Sequence, residues 1–333
     1  MTKKVDWDSV HRALELEGKF DEYTTPFREE NLVNIDENYQ YLPDKLSFRC
    51  ASRITRGVRD VFSSLVNFFA FGLRIKGREH LKALKGTGIF TVTSHFSFVD
   101  SLIISEITRW RKKLYITVAK HNCKNTVGGR IMRRGGILPL PENIAATKNF
   151  ADAMHTILER GECIQFYAEK AMWLNYDKPR PLKKGVFTYA SKFNVPVLPI
   201  YYEIKDAKGI WRMFGMKKRV TAHILPAVFP NEELSSKKNA VYMQEAVMRE
   251  LVDKYRECFD VARDNIYNVD PECYDTLDKD TIMAMSCGID GSTYDYREDI
   301  EPLRAYLASH EGDRYTLIDD YYREKAEHSA VNK

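Results

Sequence analysis

The sequence predicts an α/β fold, in which a mainly parallel mixed sheet is flanked by helices on both faces. Between residues 86 and 230, short β-rich runs alternate with helical stretches. Strands separated by helices of this length are typical of parallel sheets. An apolar segment precedes this region and an acidic, tyrosine-rich segment follows it. We therefore expect an N-terminal amphipathic helix and a small helical C-terminal appendage around the α/β core.

The individual elements follow from residue type and periodicity. Runs rich in β-branched and aromatic residues predict strands over 88–94, 114–118, 163–167, 195–202 and 219–229. Helices are expected over 99–111, 143–160, 183–193 and 237–260. Active sites of such sheets lie at the carboxyl ends of the strands, so we expect the residues that follow the first strand to lie at the site.

Composition excludes several classes of protein. The chain has 333 residues, of which 44% are hydrophobic and 29% are charged, as in ordinary globular proteins. It contains no run of ~18 apolar residues and no apolar signal-peptide core, so we expect neither a transmembrane helix nor secretion. The six cysteines are scattered without a C-x-x-C pair, which is typical of the reducing cytosol.

Charge is distributed unevenly along the chain. Residues 1–44 carry a net charge of −6, residues 45–270 of +18, and residues 271–333 of −8. A basic body between acidic ends indicates an anionic partner, such as a lipid surface or a phosphorylated co-substrate, or simply a solvated basic surface. The sequence contains no nucleic-acid-binding signature, so nucleic acid is not an expected partner.

Residues 61–73 are thirteen uncharged positions that include four phenylalanines. A helix of this length is ~20 Å long, too short to cross ~30 Å of hydrocarbon. It could lie in a bilayer interface with its rings buried and the flanking basic groups at lipid phosphates. It could equally pack into the protein core, and this segment alone does not decide between the two.

His95 and Asp100 follow the first predicted strand, in the sequence SHFSFVDSL. If His95 lies in the turn and Asp100 in the first turn of the next helix, the carboxylate can bind one imidazole nitrogen. The other nitrogen is then free to act as a general base. The alternative is a capping box formed by Ser97 and Asp100, and spacing alone favours this cap.

Charged residues also follow later elements. Glu169 and Lys170 come directly after the strand 163–167, where they could contact a substrate or form a loop salt bridge. Lys183 and Lys184 precede Gly185 and a helical run, and a helix N-terminus flanked by lysines favours anions. The eight histidines show no zinc-type spacing, and no metal site is predicted.

The order of these blocks resembles the glycerolipid/lysophospholipid acyltransferase superfamily, which includes 1-acyl-glycerol-3-phosphate acyltransferases. The blocks are H-x4-D after a strand, the Gly-Gly-Ile-Leu turn at 135–138, the strand ending near Glu169, and KKG-helix-VPVLPI. The resemblance covers residues 85–205. H-x4-D is weak on its own, whereas the ordered set of four blocks is specific.

The resemblance implies a reaction and its residues. His95 would deprotonate an acceptor hydroxyl while Asp100 orients the imidazole, and the hydroxyl would attack an acyl thioester. The donor would be acyl-CoA or acyl-carrier protein, and the acceptor a lysophospholipid in phospholipid biosynthesis. No cofactor beyond the co-substrate is expected, because a thioester is already an activated donor.

The chain departs from the family pattern at the acceptor site. The third block of the family reads F-P-E-G-T-R, whereas this chain has Lys170 at the glycine and Met172 at the arginine. Pro141 stands where the second block has its arginine. We therefore expect other groups to contact the acceptor, namely Glu169, Lys170, Arg134 and Arg180. We expect phosphate or CoA contacts from Lys183, Lys184 and Arg133.

The resemblance also favours the interfacial interpretation of the apolar segment, because such enzymes meet a lipid acceptor in a bilayer. The residues expected to face an anionic membrane surface are Phe62, Phe68, Phe69, Phe71, Arg56, Arg59 and Arg74. The predicted location is cytoplasmic and peripheral, on the inner face of the membrane. Two alternatives remain: transfer to a glycolipid or amino-lipid without glycerol phosphate, and a catalytically silent lipid-binding protein.

The predicted organisation follows from these assignments. Residues 1–45 would form an acidic arm, 46–80 a basic amphipathic interfacial helix, 81–235 the acyltransferase catalytic domain, and 236–333 a helical acidic appendage.

Overall fold

A seven-stranded sheet forms the centre of the computed structural model. The structure describes residues 5–27, 29–109, 111–213, 215–260, 266–286 and 295–331. The strands are β1 (Arg74–Lys76), β2 (Ile89–Thr93), β3 (Leu114–Val118), β4 (Ile137–Pro139), β5 (Cys163–Phe166), β6 (Val197–Asp206) and β7 (Lys218–Ile224). Their order across the sheet is β1-β7-β6-β2-β5-β3-β4. Neighbouring strands are parallel except β6 and β7, which confirms the predicted mainly parallel mixed sheet.

Helices surround the sheet. They are α1 (Trp7–Leu16), α2 (Leu46–Phe71), α3 (Arg78–Ala83), α4 (Ser101–Thr108), α5 (Val127–Gly135), α6 (Ile144–Glu159), α7 (Gly185–Phe193), α8 (Ile210–Met213), α9 (Ser236–Phe259), α10 (Lys279–Met285), α11 (Ile300–Ser309) and α12 (Arg314–Val331). Short 3₁₀ turns occur at Lys120–Asn122, Pro271–Thr276 and Tyr296–Asp299. The N-terminal and C-terminal helices that the sequence predicts are therefore present.

The two faces of the sheet bury alternate side chains in separate core clusters. Every residue of β2 is buried, as expected for a central strand covered on both sides. Phe90 and Val92 face the cluster formed with α6, α7 and α9, whereas Ile89 faces the cluster formed with α3 and α4. Successive side chains of β2 thus point to opposite faces of the sheet, and helices cover both faces, as predicted.

The acidic ends of the chain contribute to the same core as the sheet. Phe20 from the N-terminal segment and Tyr267 and Tyr274 from the C-terminal segment are buried in the cluster around Phe90. A smaller cluster of Leu303, Ile318 and Tyr322 joins α11 to α12. The terminal segments are thus packed against the α/β body.

Helix α2 differs from the predicted interfacial helix in its bounds. It contains 26 residues, about 39 Å of helix, and ends at Phe71, where Gly72 adopts a left-handed conformation. The expected helix to residue 80 is wrong, because residues 74–76 pair with β7 as an edge strand.

The buried face of α2 is largely polar. Arg56 donates to the carbonyl oxygen of Leu114 and lies over the ring of Tyr115 at 4.4 Å. Asn67 Nδ2 donates to the carbonyl oxygen of Leu102 at 2.9 Å. The expected membrane-facing roles of Arg56 and Phe71 are therefore wrong, since both side chains are buried. Spacing alone could not show which polar groups of the helix find partners in the protein.

The exposed face of α2 is apolar. Its exposed large hydrophobic residues are Leu46, Ile54, Val58, Val61, Phe62, Leu65, Phe68 and Phe69. From Ile54 onward they follow the spacing of one helical stripe. The helix therefore exposes its apolar stripe, whereas a helix on the surface of a globular protein usually buries it against the core.

We expect Gly88→Ala to destabilise the fold. A Cβ at this position would lie 2.1 Å from the carbonyl oxygen of Leu158, at the end of α6. Relief of that overlap should cost about 2 kcal/mol of unfolding free energy, measured by urea denaturation. The matched variant Gly57→Ala meets no atom within 4 Å in α2 and should stabilise by about 0.5–1 kcal/mol. Equal stabilities of the two variants would contradict this packing.

Candidate active site

A hydrogen-bonded histidine–aspartate pair lies at the carboxyl end of β2. His95 follows the strand, and Asp100 stands immediately before α4. His95 Nδ1 lies 2.7 Å from Asp100 Oδ2, and the backbone amides of Phe96 and Ser97 donate to the same oxygen at 2.9 and 3.1 Å. Asp100 makes no side-chain cap to α4, but the bond from the Ser97 amide is one of the two bonds of the alternative capping box, so the carboxylate binds both the turn and the imidazole.

Tyr167 completes this arrangement. Its hydroxyl donates to Asp100 Oδ1 at 2.8 Å, and its ring stacks on the His95 imidazole with centroids 4.0 Å apart. Burial and then the neighbouring Asp100 charge raise the pKa of Tyr167 well above its usual value, so the phenol stays protonated as a donor. The sequence analysis did not predict a role for Tyr167, which stands where the family block has phenylalanine.

The pair favours one tautomer of His95. The Asp100 carboxylate is 1% exposed and can only accept hydrogen bonds, so Nδ1 carries the proton that binds it. Nε2 then keeps its lone pair. Since the His95 side chain is 25% exposed and lines a cavity, this nitrogen is available to a substrate hydroxyl.

The cavity beside His95 has a volume of about 730 Å³ and a predominantly apolar wall. Its apolar lining includes Phe98, Ile116, Val118, Met132, Ile137, Leu140, Phe150, Phe166, Met172 and Val186. Phe98, Met132 and Leu140 are also exposed at the protein surface. A chamber of this size with a polar pair in its wall suits a ligand with a long apolar chain.

Glu169 and Arg180 do not reach the cavity. They form a salt bridge of 2.8 Å in which each side chain is only 1% exposed. Arg180 also donates to the carbonyl oxygen of Phe20 at 2.7 Å and lies over the Trp173 ring at 4.6 Å. Their expected contact with the acceptor is therefore wrong. The backbone amide of His95 donates to Glu169 at 3.4 Å, so the pair braces the loop beneath the histidine.

Lys170 and Lys183 do line the cavity, but carboxylates of the acidic ends pair with both. Asp21 lies 3.0 Å from Lys170 and 3.5 Å from Lys183. Asp278 and Asp280 lie 3.2 and 3.9 Å from Lys183. The hydrogen bond that Lys170 donates to Asp21 raises the pKa of Lys170, which keeps the ammonium charged. Three carboxylates thus surround the two ammonium groups.

Lys170 also has a strained backbone. Its φ of +72° lies in the left-handed region, which glycine adopts at little cost. This position is the glycine of the family block. The backbone here adopts a conformation that favours glycine, although the residue is lysine.

The remaining residues predicted to contact the acceptor or a phosphate do not line the cavity. Arg133 donates to the carbonyl oxygen of Gln40 and lies 4.9 Å from the Tyr39 ring centroid. Arg134 is exposed at the end of α5, and Lys184 is half-buried before α7. The structure does not gather these side chains around the cavity. Instead Lys124 and His121, from the segment after β3, line it, and no sequence signal marked them.

The expected membrane-facing residues divide into two groups. Phe62, Phe68 and Phe69 are exposed on α2, and Arg74 is exposed on β1. Arg59 is half-buried, where it pairs with Asp60 and donates to the carbonyl oxygen of Gly135. Within the described part of the chain, none of the helices combines the length and hydropathy that a bilayer crossing requires.

Comparison with known proteins places these residues in a family context. Residues 72–203 match the family described as Acyltransferase. No curated protein matches the chain. Among solved structures, the chain is similar to the 1-acyl-sn-glycerophosphate (LPA) acyltransferase PlsC from Thermotoga maritima, with 18% identity and a TM-score of 0.44. The similarity covers 65% of this chain and 85% of that one.

The matched segment contains His95, Asp100 and Tyr167. The resemblance inferred from the four sequence blocks is thereby confirmed: residues 72–203 carry the pattern of the acyltransferase family.

Proposed function

We propose that the protein transfers an acyl group from a thioester to a hydroxyl of a lysophospholipid-type acceptor. The observation that carries the proposal is the 2.7 Å contact between His95 Nδ1 and Asp100, which leaves Nε2 free beside an apolar cavity. A base in this position meets the geometric requirement for proton removal from a bound alcohol.

The chemistry proceeds in balanced steps. The acceptor hydroxyl gives its proton to His95 Nε2 as its oxygen attacks the thioester carbonyl. The carbon–sulfur bond then breaks, and the leaving thiolate takes the proton from the imidazolium. Asp100 stabilises the imidazolium while the positive charge is present, and Tyr167 holds the carboxylate in place. The acyl group passes directly to the acceptor without a covalent enzyme intermediate.

The donor in this proposal is acyl-CoA or acyl-carrier protein, both of which carry phosphate. The net charge of +18 over residues 45–270 supports an anionic co-substrate. Lys124 is a further cation at the cavity wall.

Peripheral attachment to the inner face of the membrane fits the surface of α2. Its outward apolar stripe would be costly in water and is suited to the acyl boundary of a bilayer. Ile210 and Met213 of α8 are also exposed, and Trp211 between them stacks edge-on against Phe68 at 5.2 Å. The apolar surface thus extends beyond α2, and Phe98 and Leu140 connect the exposed surface with the cavity.

A second candidate is transfer to an acceptor without glycerol phosphate, such as a glycolipid or amino-acid-derived lipid. The pairing of Lys170 and Lys183 with Asp21, Asp278 and Asp280 favours it, because an anionic headgroup would have to displace these carboxylates. The two candidates share the His95 chemistry and differ only in the acceptor headgroup.

Thiol release from acyl-CoA, measured against a panel of acceptors, tests the reaction. We expect release that depends on acceptor and falls by ~10²-fold or more in His95→Ala, because the base is lost. His155→Ala, at a half-exposed position of α6, should retain full activity. A lysophospholipid as best acceptor supports the first candidate, and a glycolipid or amino-lipid as best acceptor supports the second. Release no faster than the uncatalysed background with every acceptor would identify a silent binding protein.

Tyr167→Phe tests the support of the carboxylate. The variant keeps the ring against His95 but leaves Asp100 Oδ1 without its donor. We expect kcat to fall about 10-fold, equivalent to ~1.4 kcal/mol, with KM for the thioester unchanged. Tyr201→Phe is the matched control, since the buried Tyr201 hydroxyl has no hydrogen-bond partner among the described residues. Equal kcat in both variants would remove Tyr167 from the mechanism.

Phe68→Glu combined with Phe69→Glu tests the membrane surface. Both rings are more than half exposed, so the charges should weaken sedimentation with anionic liposomes at least 10-fold without a change in melting temperature. Phe229→Glu is the control, because Phe229 is similarly exposed but lies outside α2. It follows Val228, which pairs with Val197 at the amino end of β6. Liposome binding that survives the double variant would refute attachment through α2.

A further inference from the structure

A cluster of metal-ligating side chains lies outside the cavity. Glu203 on β6, His223 on β7 and Cys258 near the end of α9 each offer one ligand atom, and these atoms lie within 4.8 Å of one another. None of the three lines the cavity beside His95. The reaction proposed above makes no use of them.

The topology explains why these residues meet. β6 and β7 are antiparallel, with Tyr201 directly opposite His223. Glu203 is two residues beyond Tyr201 and therefore points to the same face of the sheet. Helix α9 belongs to the core cluster on this face, and Cys258 is its penultimate residue. Three elements that are distant in sequence thus deliver one ligand each.

We propose that Glu203, His223 and Cys258 bind a divalent metal ion of the zinc class, with water as the fourth ligand. Carboxylate, imidazole and thiolate are the donor types that zinc selects. Cys258 Sγ lies 3.7 Å from His223 Nε2, close to the separation of about 3.5 Å between two ligands of a tetrahedral zinc ion. His223 Nε2 lies 2.8 Å from Glu203 Oε2, so these two atoms must move apart by roughly half an ångström when both bind the ion.

The protonation of the ligands is compatible with metal binding. Burial lowers the pKa of His223, which keeps its imidazole neutral at pH 7. Burial raises the pKa of Cys258 to about 11, so the metal must displace the thiol proton into solvent. The remaining proton of His223 moves from Nε2 to Nδ1. The carboxylate and thiolate together balance the two charges of the ion.

The surrounding charges leave one oxygen of Glu203 for the metal. Lys205 pairs with Oε1, whereas Oε2 faces His223. Lys254, a further cation near Cys258, forms a salt bridge with Glu257. The cluster also lies at the C-terminus of α9, where the helix dipole favours a cation. A bound ion would fasten this end of α9 to the β6–β7 hairpin, independently of any acyltransferase activity.

Cobalt titration of the metal-free full-length protein tests this site. After dialysis against a chelator, one equivalent of Co²⁺ should produce the near-ultraviolet charge-transfer absorption of a thiolate ligand, and Zn²⁺ should abolish it. Cys258→Ser should lose the absorption, and His223→Gln should bind Co²⁺ at least 10-fold more weakly. Cys50→Ser, at an exposed cysteine of α2, should retain it.

Melting temperature provides the second readout. Because an ion that binds only the folded state stabilises it, Zn²⁺ should raise the melting temperature of wild type and Cys50→Ser but not of Cys258→Ser. Absence of the thiolate absorption in wild type, or its persistence in Cys258→Ser, would overturn the proposal. If Cys258→Ser fails to fold without metal, Co²⁺ binding at least 10-fold weaker in the folded Glu203→Gln and His223→Gln variants supports the proposal, and unchanged binding in both overturns it.

Discussion

The buried Asp100 carboxylate is the interaction on which the site depends. An isolated carboxylate at 1% exposure would be strongly unfavourable, so its oxygens must be satisfied by hydrogen bonds. Two backbone amides, the His95 imidazole and the Tyr167 hydroxyl meet that requirement. The same bonds fix the turn between β2 and α4 and orient the imidazole. Stability of the turn and placement of the base therefore have one physical origin.

The acidic ends of the chain neutralise part of its basic body. Glu15 in α1 pairs with Lys178, and Asp21 pairs with Lys170 and Lys183. The uneven charge along the sequence indicated an external anionic partner. The structure shows that some of the complementary charge is internal, next to the cavity. An anionic headgroup at this wall would therefore compete with these carboxylates for the two ammonium groups.

Sequence reasoning predicted the elements that depend on local pattern. The strands around His95 are apolar and β-branched, and their positions follow from composition alone. β1 and β4 contain three residues each and escaped detection, because so short a strand is defined by its partner rather than by its own residues. Likewise Arg56 and Arg180 looked like surface cations. Their burial depends on carbonyl and carboxylate partners brought from distant parts of the chain.

The local sequence pattern could not predict which face of α2 is exposed either. Its apolar stripe was evident in the sequence, but a stripe alone is compatible with a core or with a bilayer. The polar face found partners inside the protein, and the stripe was left outside. Tertiary hydrogen bonds of the polar face thus select the surface that the helix presents.

The most direct test of the account is the tautomer of His95, measured by nitrogen NMR on protein labelled with ¹⁵N-histidine and assigned with a His95→Gln variant. The account predicts that the neutral imidazole carries its proton on Nδ1, hydrogen-bonded to Asp100, and has an unprotonated Nε2. A proton on Nε2 with Nδ1 unprotonated would leave no base facing the cavity and would contradict the proposed mechanism.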